Sequence, residues 1–512
     1  MAKQKNSSPS RNRGFWGWID DNILHWSFLV FIVGVALLPK FPIQHVEYTY
    51  IKIRIDDVLP AGMVALFFVQ WLRRKVRLNT ALLIPIILFW VSVFVSFLYA
   101  YYVQLTIPIF NIGLLHSLRR VEYLSVFFLG SSLVTSEKRF RQYLGIYVIS
   151  FFVVSLYGVV QKFGLLPSIQ TMNPAYVDGR LLWLNSDDRI NSTFGGHFDL
   201  AAYLTFSIPI VIGLYYQRLK KWYLVAFFTA LVALLYTAAR SSFVAYIASI
   251  SFMLLRMKKF VFYAIVLVVT GGLLLVTGDM TKRLLQTFQV KTVYTNPETG
   301  VSQIGQQITA DNLPAGSYEI NLPFLKKSTK KSTNSKEQLD AARQLIYDDV
   351  KRSGKSLTPD EIEAQARALT QFIKPEQTLL CDISCATRLQ VEWPRAVLAF
   401  KSNPVLGRGP SSITEATDND FLRWLGEIGL LGTTLFLFIL YRVNRSAQSI
   451  LKVAPEMKTV VFGFFCGLSA LLVNALYVDV FEASKVAYNF WIVSGLFVGL
   501  ATYYGAHQKK SK

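Results

Sequence analysis

The chain has 512 residues, of which 53% are hydrophobic and only 17% are charged. A soluble domain averages about 25% charged residues, so this composition excludes an ordinary water-soluble protein and favours lipid as the main solvent. The formal net charge of +21 would suggest nucleic-acid binding in a soluble protein. Here the basic residues stand in short clusters between apolar blocks, without an aromatic-and-basic nucleic-acid motif. We therefore predict no nucleic-acid partner.

The apolar residues form blocks long enough to cross a bilayer, whose hydrocarbon core requires roughly 17–25 mainly apolar residues per helix. The first block follows a basic start and has no small-residue cleavage site after it, so we predict an uncleaved span. The pattern as a whole predicts an all-α, polytopic membrane protein of about twelve transmembrane helices. These lie near 24–39, 57–72, 80–103, 119–135, 142–165, 199–216, 222–238, 241–256, 260–278, 420–441, 459–478 and 485–506.

Six clusters of basic residues alternate with these spans and fall on one side of the predicted membrane. They are Arg73–Arg77, Lys138–Arg141, Arg218–Lys221, Arg256–Lys259, Arg442–Lys458 and Lys509–Lys512. Short cytoplasmic loops carry an excess of Lys and Arg. The clusters therefore predict a multi-pass protein of the cytoplasmic (inner) membrane with both termini in the cytoplasm.

The domain organisation follows from this alternation. Residues 1–278 hold helices 1–9, residues 279–419 form a large extracytoplasmic loop on the periplasmic side, and residues 420–512 hold helices 10–12 and a cytoplasmic tail. Within the loop, apolar residues recur at helical spacing between Lys336 and Ile373. Thr358 before Pro359 is typical of a helix start. We expect two short helices packed over the membrane domain.

Three cysteines are too few for a disulfide scaffold. Cys381 and Cys385 could form a local disulfide if the loop lies on an oxidising side. Cys466 lies inside an apolar block and is expected to serve packing only. No His or Cys cluster suggests zinc, so we predict no metal and no cofactor.

Charged residues at membrane depth are costly and tend to be functional. Arg240 separates two apolar blocks at the outer end of a predicted helical hairpin, where it could also snorkel to headgroups. Ser241 and Ser242 could cap the helix that follows. Arg189 stands before a span in the segment Asp187–His197, whose glycines permit a tight turn and whose helix start favours an anion. Alternatively, Arg189 pairs with a neighbouring aspartate.

A second polar group marks the return from the loop to the membrane. Its members are Arg388, Arg395, Asp418, Asn419, Asp420 and Glu427. Asp418 either caps the following helix or acts chemically. Arginine offers phosphate oxygens a rigid fork, and a carboxylate can accept a proton from an attacking hydroxyl. Arginines and a carboxylate on one outer surface suit a site for a lipid that bears a diphosphate, provided that they meet in space.

The motifs resemble those of the O-antigen ligase and O-antigen polymerase superfamily. Four pieces carry the resemblance, in order and around the same large loop: Arg189 to Leu204 with its Thr-Phe-Gly; Ala239-Arg240-Ser241; Arg388 with Trp393, Asn403-Pro404 and Gly407-x-Gly409; and Asp418-Asn419 with Glu427 and Gly429 to Gly432. The matched region covers roughly 185–432.

The resemblance implies a metal-independent, inverting glycosyltransferase of the GT-C-like helical membrane class. Its donor would be a glycan on undecaprenyl diphosphate, transferred to a glycan or lipid acceptor at the outer face of the membrane for cell-envelope polysaccharide synthesis. Arg240 and Arg388 would bind the donor diphosphate, with Arg189 beside them, and Asp418 would be catalytic. The residues Asn419, Asp420, Arg395 and Glu427 would support the site.

Three positions depart from the family pattern. Asp418 stands where ligases usually carry His, Ala239 replaces Ser, and Phe198 replaces a common Asn. These departures favour a polymerase, or a ligase with an acceptor other than lipid A. The sequence leaves the sugar, the acceptor, the product length and the oligomeric state open. The alternative from another class is a transporter or flippase of a small anion or a lipid-linked sugar.

Overall fold

A computed structural model describes residues 15–45, 52–171, 179–185, 187–286, 288–295, 317–319, 335–353, 357–413 and 417–511. The chain forms two compact units. One comprises Met1–Met280 with Ala399–Lys512, and the other comprises Thr281–Leu398. Each unit has its own architecture and is described separately.

The first unit is helical. Its helices are α1 (Phe15–Leu37), α2 (Ile55–Leu72), α3 (Leu83–Tyr99), α4 (Phe110–Leu133), α5 (Glu137–Lys162), α6 (His197–Arg218), α7 (Trp222–Tyr236), α8 (Arg240–Arg256) and α9 (Phe260–Thr277), followed after the second unit by α15 (Asp420–Ser449), α16 (Lys458–Ala475) and α17 (Ser484–Ser511). Two short antiparallel pairs, β1 (Pro42–His45) with β2 (Lys52–Arg54) and β3 (Ser168–Ile169) with β4 (Leu181–Leu182), join helix ends.

Among the described residues, nine helices are long and apolar enough to cross a membrane. This finding supports a mostly helical, polytopic membrane protein. The other three predicted spans correspond to α4, α7 and α8. α7 and α8 have 15 and 17 residues, and α4 is more polar and begins nine positions before its predicted start. The count of twelve spans stays a prediction.

Two helix pairs approach closely because glycine faces the partner's backbone. A Cβ at Gly467 of α16 would lie 2.3 Å from the Phe206 carbonyl oxygen of α6, and one at Gly463 would lie 2.4 Å from the Pro209 oxygen. Small residues spaced four apart permit such close contact between membrane helices. In a bilayer, helices associate through van der Waals packing rather than through the hydrophobic effect. Gly495 of α17 faces α4 in the same way.

Replacing Gly467 by valine should therefore separate α6 from α16. We expect a loss of about 1–3 kcal/mol of stability, the usual effect of overpacking, seen as a lower thermal unfolding midpoint in detergent. Gly272→Val is the matched control, since a Cβ at Gly272 of α9 meets no other atom within 4 Å. Equal unfolding midpoints for the two variants would contradict the close packing.

The second unit mixes helices and strands. Its elements are α10 (Asp279–Gln286, which begins in the first unit), β5 (Phe288–Thr295), β6 (Ser317–Glu319), α11 (Ser335–Ser353), α12 (Pro359–Thr370), β7 (Lys374–Asp382), α13 (Ile383–Thr387), a π-helical turn at Arg388–Glu392 and α14 (Trp393–Ser402, which ends in the first unit). Helices α11 and α12 lie in the stretch where two were expected.

Helix α12 begins with a reciprocal cap. The Thr358 side chain accepts a hydrogen bond from the Glu361 amide, and the Glu361 carboxylate accepts one from the Thr358 amide at 2.8 Å. Arg343 of α11 pairs with Glu363 of α12 at 2.6 Å. These contacts and a small apolar cluster that includes Leu345 and Ala366 hold the two helices together.

The all-α prediction missed a three-stranded antiparallel sheet with the order β5-β7-β6. Its longest pairing runs from Phe288 opposite Cys381 to Thr295 opposite Lys374. Partners so distant in the sequence leave no local signal except a short alternation, which the polar composition of the loop obscures. Cys385 and Cys466 are buried. The Cys381 side chain lies outside the described part, so the proposed local disulfide stays a prediction.

Candidate functional site

Arg240 stands where the structure turns between α7 and α8. Helix α7 ends at Tyr236, Ala238 has a left-handed backbone with φ of 49°, and Arg240 is the first residue of α8 and is half-buried. Ala239 occupies the N-cap position and no side chain caps the helix. The predicted serine caps are therefore wrong: Ser242 instead donates a hydrogen bond to the Asn474 side chain at 2.7 Å.

The segment that carries Arg189 lies against the end of α7. The Ile190 amide donates to the Tyr236 carbonyl oxygen at 3.3 Å, four residues before Arg240. The Arg189 side chain is half-buried, and its Nη1 lies 2.5 Å from Nε2 of His197. This contact gives His197 a role that the sequence did not assign, as a residue that positions Arg189.

The two glycines after Phe194 create space for a buried lysine. A Cβ at Gly195 would lie 2.6 Å from the Thr171 hydroxyl and 3.0 Å from Cδ of Lys40. Lys40 pairs with Asp199, in the first turn of α6, at 3.6 Å. A second lysine, Lys485 of α17, is fully buried and donates to the Thr193 carbonyl oxygen at 2.7 Å. Sequence reasoning missed both lysines because their partners are distant in the chain.

Asn419, rather than Asp418, caps α15. Its side chain accepts a hydrogen bond from the Leu422 amide at 3.0 Å, and the helix begins at Asp420. Asp418 precedes the cap in a left-handed conformation with φ of 49° and is half-buried. The capping alternative for Asp418 is therefore wrong.

Two neighbouring carboxylates, those of Asp479 and Asp420, connect the start of α15 to the chain between α16 and α17 by accepting hydrogen bonds from backbone amides. Asp479, in the connection between α16 and α17, accepts hydrogen bonds from the amides of Thr417 at 2.9 Å and Asn419 at 3.0 Å. Asp420 is fully buried and accepts from the amides of Val480 at 2.8 Å and Phe481 at 3.1 Å. Two aspartates thus hold the start of α15 to the connection between α16 and α17. The supporting role of Asp420 in a donor site stays a prediction.

The segments of Arg240 and Asp418 meet at the carboxyl end of α16. Asn474, at that end, links Ser242 to Thr205 of α6, to whose hydroxyl it donates at 2.8 Å. Asn419 donates to the Leu476 carbonyl oxygen, two residues further, at 2.9 Å. The Arg189 segment joins through the end of α7. The structure therefore attaches the segments of all three residues to one end of the helical unit.

Helix α15 is interrupted at Gly429, whose φ of 64° and ψ of −169° are not helical. The chain before α15 fills the interruption: the amides of Arg408 and Gly409 donate to the carbonyl oxygens of Gly426 and Glu427 at 2.8 Å and 2.9 Å. A Cβ at Gly429 would lie 2.2 Å from the Val405 oxygen. Irregular backbone at membrane depth is tolerated where the protein supplies hydrogen-bond partners for its amide and carbonyl groups. Gly409 of the Gly407-x-Gly409 motif and Gly429 of the Gly429 to Gly432 motif therefore meet at the interruption of α15, which we call the joint.

Glu427 lies at this joint, fully buried, in a cluster of ion pairs. Its carboxylate contacts Nη2 of Arg120 from α4 and lies 3.4 Å from Nε of Arg423. Arg120 also pairs with Glu482 at 3.0 Å, and Arg423 with Asp479 at 2.9 Å. We call these five residues the α15 ion cluster. Glu427 holds the joint through ion pairs with Arg120 and Arg423, neither of which the sequence analysis identified. Its support of a donor site stays a prediction.

The pKa of Glu482 lies at about 2, below its ordinary value of 4.5, because Arg120 and Arg423 outweigh the effect of burial, which alone would raise it. Its stabilising contribution is therefore fully present above about pH 4.5 and is lost as the pH falls toward 2. We expect the unfolding midpoints of wild type and Glu482→Gln to differ most near neutral pH and to converge in acid. Parallel midpoint curves from about pH 7 to about pH 3 would contradict this assignment.

Arg388 and Arg395 belong to the second unit. Arg388 is buried in the π-helical turn, and its Nη1 donates to the Ser384 carbonyl oxygen at 2.7 Å. Arg395 is half-buried in α14. Their participation in a site with Arg240 stays a prediction.

Comparison with known proteins gives no match: no protein-family model matches the chain, and no curated protein matches it. The family resemblance therefore rests on the four sequence motifs, and the site is interpreted from its own chemistry.

Proposed function

We propose that this protein is a membrane glycosyltransferase that transfers or polymerises a glycan from a polyisoprenyl-diphosphate-linked donor. One observation carries the proposal: the segments of Arg189, Arg240 and Asp418 are joined at the carboxyl end of α16. Two arginines and a carboxylate on connected segments suit a diphosphate headgroup and a hydroxyl that must lose its proton.

The proposed reaction is a single displacement at the anomeric carbon. The acceptor hydroxyl oxygen bonds to that carbon while its proton passes to Asp418, and the bond from the carbon to the phosphate oxygen breaks. Arg189 and Arg240 stabilise the charge that develops on the lipid diphosphate. Fixed cations act most strongly on charge that forms in the transition state. One displacement inverts the anomeric configuration.

The basic clusters support a location for this chemistry. The cluster Arg218–Lys221 lies at the carboxyl end of α6, whose first residue, His197, contacts Arg189 of the candidate site. By the positive-inside rule, the site faces outward from the cytoplasmic membrane, both termini are cytoplasmic, and twelve helices span the bilayer with the loop at 279–419 outside.

The test is a reconstituted reaction. Purified full-length protein in liposomes receives the lipid-linked repeat unit alone, and both glycan length and free lipid diphosphate are measured. Longer glycans with release of lipid diphosphate would identify a polymerase. Release only after a second acceptor is added would identify a ligase. Intact donor under both conditions would overturn the proposal.

A transporter is the second candidate, because α15 is interrupted at Gly429. Discontinuous helices often coordinate ions or substrates in transporters. Here the interruption is filled by the chain before α15 and by ion pairs, which favours a structural role. Movement of labelled donor between leaflets without cleavage of the sugar–phosphate bond would select the transporter.

A further inference from the structure

A crevice of about 380 Å³ lies between α2 and α4, and its lining includes none of the residues of the proposed reaction. This volume falls in the range of about 300–1,000 Å³ that is usual for small-molecule sites. Its lining combines charged and apolar side chains: Lys52, Ile53, Asp57, Val58, Ala61, Ile112, Leu115, His116, Leu118, Arg119 and Glu122.

Arg119 is the charged group in this crevice with donors to spare. Within the described ranges its side chain makes one ion pair, a long contact of 3.7 Å to Asp57, and remains 23% exposed. Both carboxylates already accept shorter bonds. Asp57 accepts one from the Arg54 amide at 3.0 Å, and Glu122 accepts one from the Tyr488 hydroxyl at 2.6 Å.

The apolar part of the crevice is continuous with the outer surface of the helices. Val58 and Leu118 border it and are 54% and 44% exposed. Helix α2 is long and apolar enough to cross the membrane, so its exposed apolar side chains are suited to contact with acyl chains. A charged group in this setting is tolerated when it meets a polar partner. The arrangement suits a molecule with an anionic head and an apolar tail.

We propose that the crevice binds one glycerophospholipid of the surrounding bilayer, with its headgroup phosphate on Arg119 and an acyl chain along Val58, Ala61 and Leu115. A single phosphodiester suits the crevice better than a diphosphate. Lys52 and Arg119 face two carboxylates, which leaves little excess positive charge for a second phosphate, whereas a zwitterionic headgroup could also place its ammonium near Glu122. This site is independent of the proposed glycosyl transfer.

Native mass spectrometry of the full-length protein in detergent tests this site. Phosphatidylethanolamine, phosphatidylglycerol and a polyprenyl diphosphate are added separately, and the bound fraction is measured. We expect one phospholipid to remain bound to wild type. Arg119→Ala should weaken its retention about tenfold, the effect of losing a charge-assisted phosphate contact worth about 1.4 kcal/mol.

Two further variants keep the proposal falsifiable if Arg119→Ala misfolds. Ala61→Trp leaves every charged group in place and fills the crevice from an exposed position, so it should also release the phospholipid. Arg77→Ala removes an exposed arginine outside the crevice and should leave retention unchanged. Equal retention by wild type and Ala61→Trp, or retention of polyprenyl diphosphate but of neither phospholipid, would overturn the proposal.

Discussion

Replacement of Arg240 by alanine is expected to abolish glycan transfer while the protein remains folded in the membrane. Arg240 begins α8 and is only half-buried, so its loss removes little packing. The diphosphate would lose a cation that acts most strongly on the developing charge. Removal of one such preorganised group typically lowers a rate about 10²–10³-fold. The measurement is the initial rate of lipid diphosphate release by reconstituted protein.

Arg256→Ala provides the matched control, because Arg256 is an exposed arginine in the last turn of the same helix. Its rate should equal that of wild type. Arg240→Lys should recover part of the activity, since lysine keeps the charge but loses the planar fork. Normal product from Arg240→Ala would show that Arg240 does not bind the diphosphate.

Replacement of Arg120 by leucine is expected to cause the largest loss of stability. Arg120 contacts both Glu427 and Glu482, and Glu427 is fully buried. Removal of one partner from a buried ion pair leaves an uncompensated charge and costs about 3–5 kcal/mol. The protein should elute as aggregate from size-exclusion chromatography, or unfold at a clearly lower temperature in detergent.

Two comparisons separate this effect from a general loss of charge. Arg442→Leu removes an exposed arginine near the other end of α15 and should leave the unfolding midpoint within the range of ordinary surface changes. Combining Arg120→Leu with Glu427→Leu and Glu482→Leu should restore part of the lost stability, because apolar residues can replace a buried ion cluster. A single Arg120→Leu variant as stable as wild type would show that the α15 ion cluster contributes nothing to folding.

The sequence could predict the elements that depend on local patterns. Uninterrupted apolar residues identified helices such as α9, and a lone cation between two such blocks placed Arg240 at a helix boundary. Thr358 and Pro359 marked the start of α12, where the structure has a reciprocal cap. Each of these signals is contained within a few consecutive residues.

The α15 ion cluster could not be predicted in this way. Arg120 and Glu427 are 307 positions apart, and nothing local distinguishes a carboxylate that holds two helices from one that reacts. Polar residues that face protein also lower the hydropathy of a helix, which explains why α4 begins before its predicted start. The pair Arg119-Arg120 followed by Glu122 in an otherwise apolar stretch was the one available signal.

The roles of Asp420 and Asn419 also could not be predicted from the local sequence. Both stand beside Asp418 in the motif, but their roles depend on the connection between α16 and α17. Asn419 caps α15, and Asp420 accepts two amides from that connection. The role of Asp418 as the proton acceptor stays a prediction.

The most direct test of the central claim is the equilibrium binding of a polyprenyl diphosphate to the purified, full-length protein. We expect the diphosphate to bind more tightly than the corresponding monophosphate. Arg189→Ala and Arg240→Ala should each weaken diphosphate binding at least about tenfold, which corresponds to about 1.4 kcal/mol, whereas Arg256→Ala should not. Equal affinity of wild type and both site variants for the diphosphate would contradict the account.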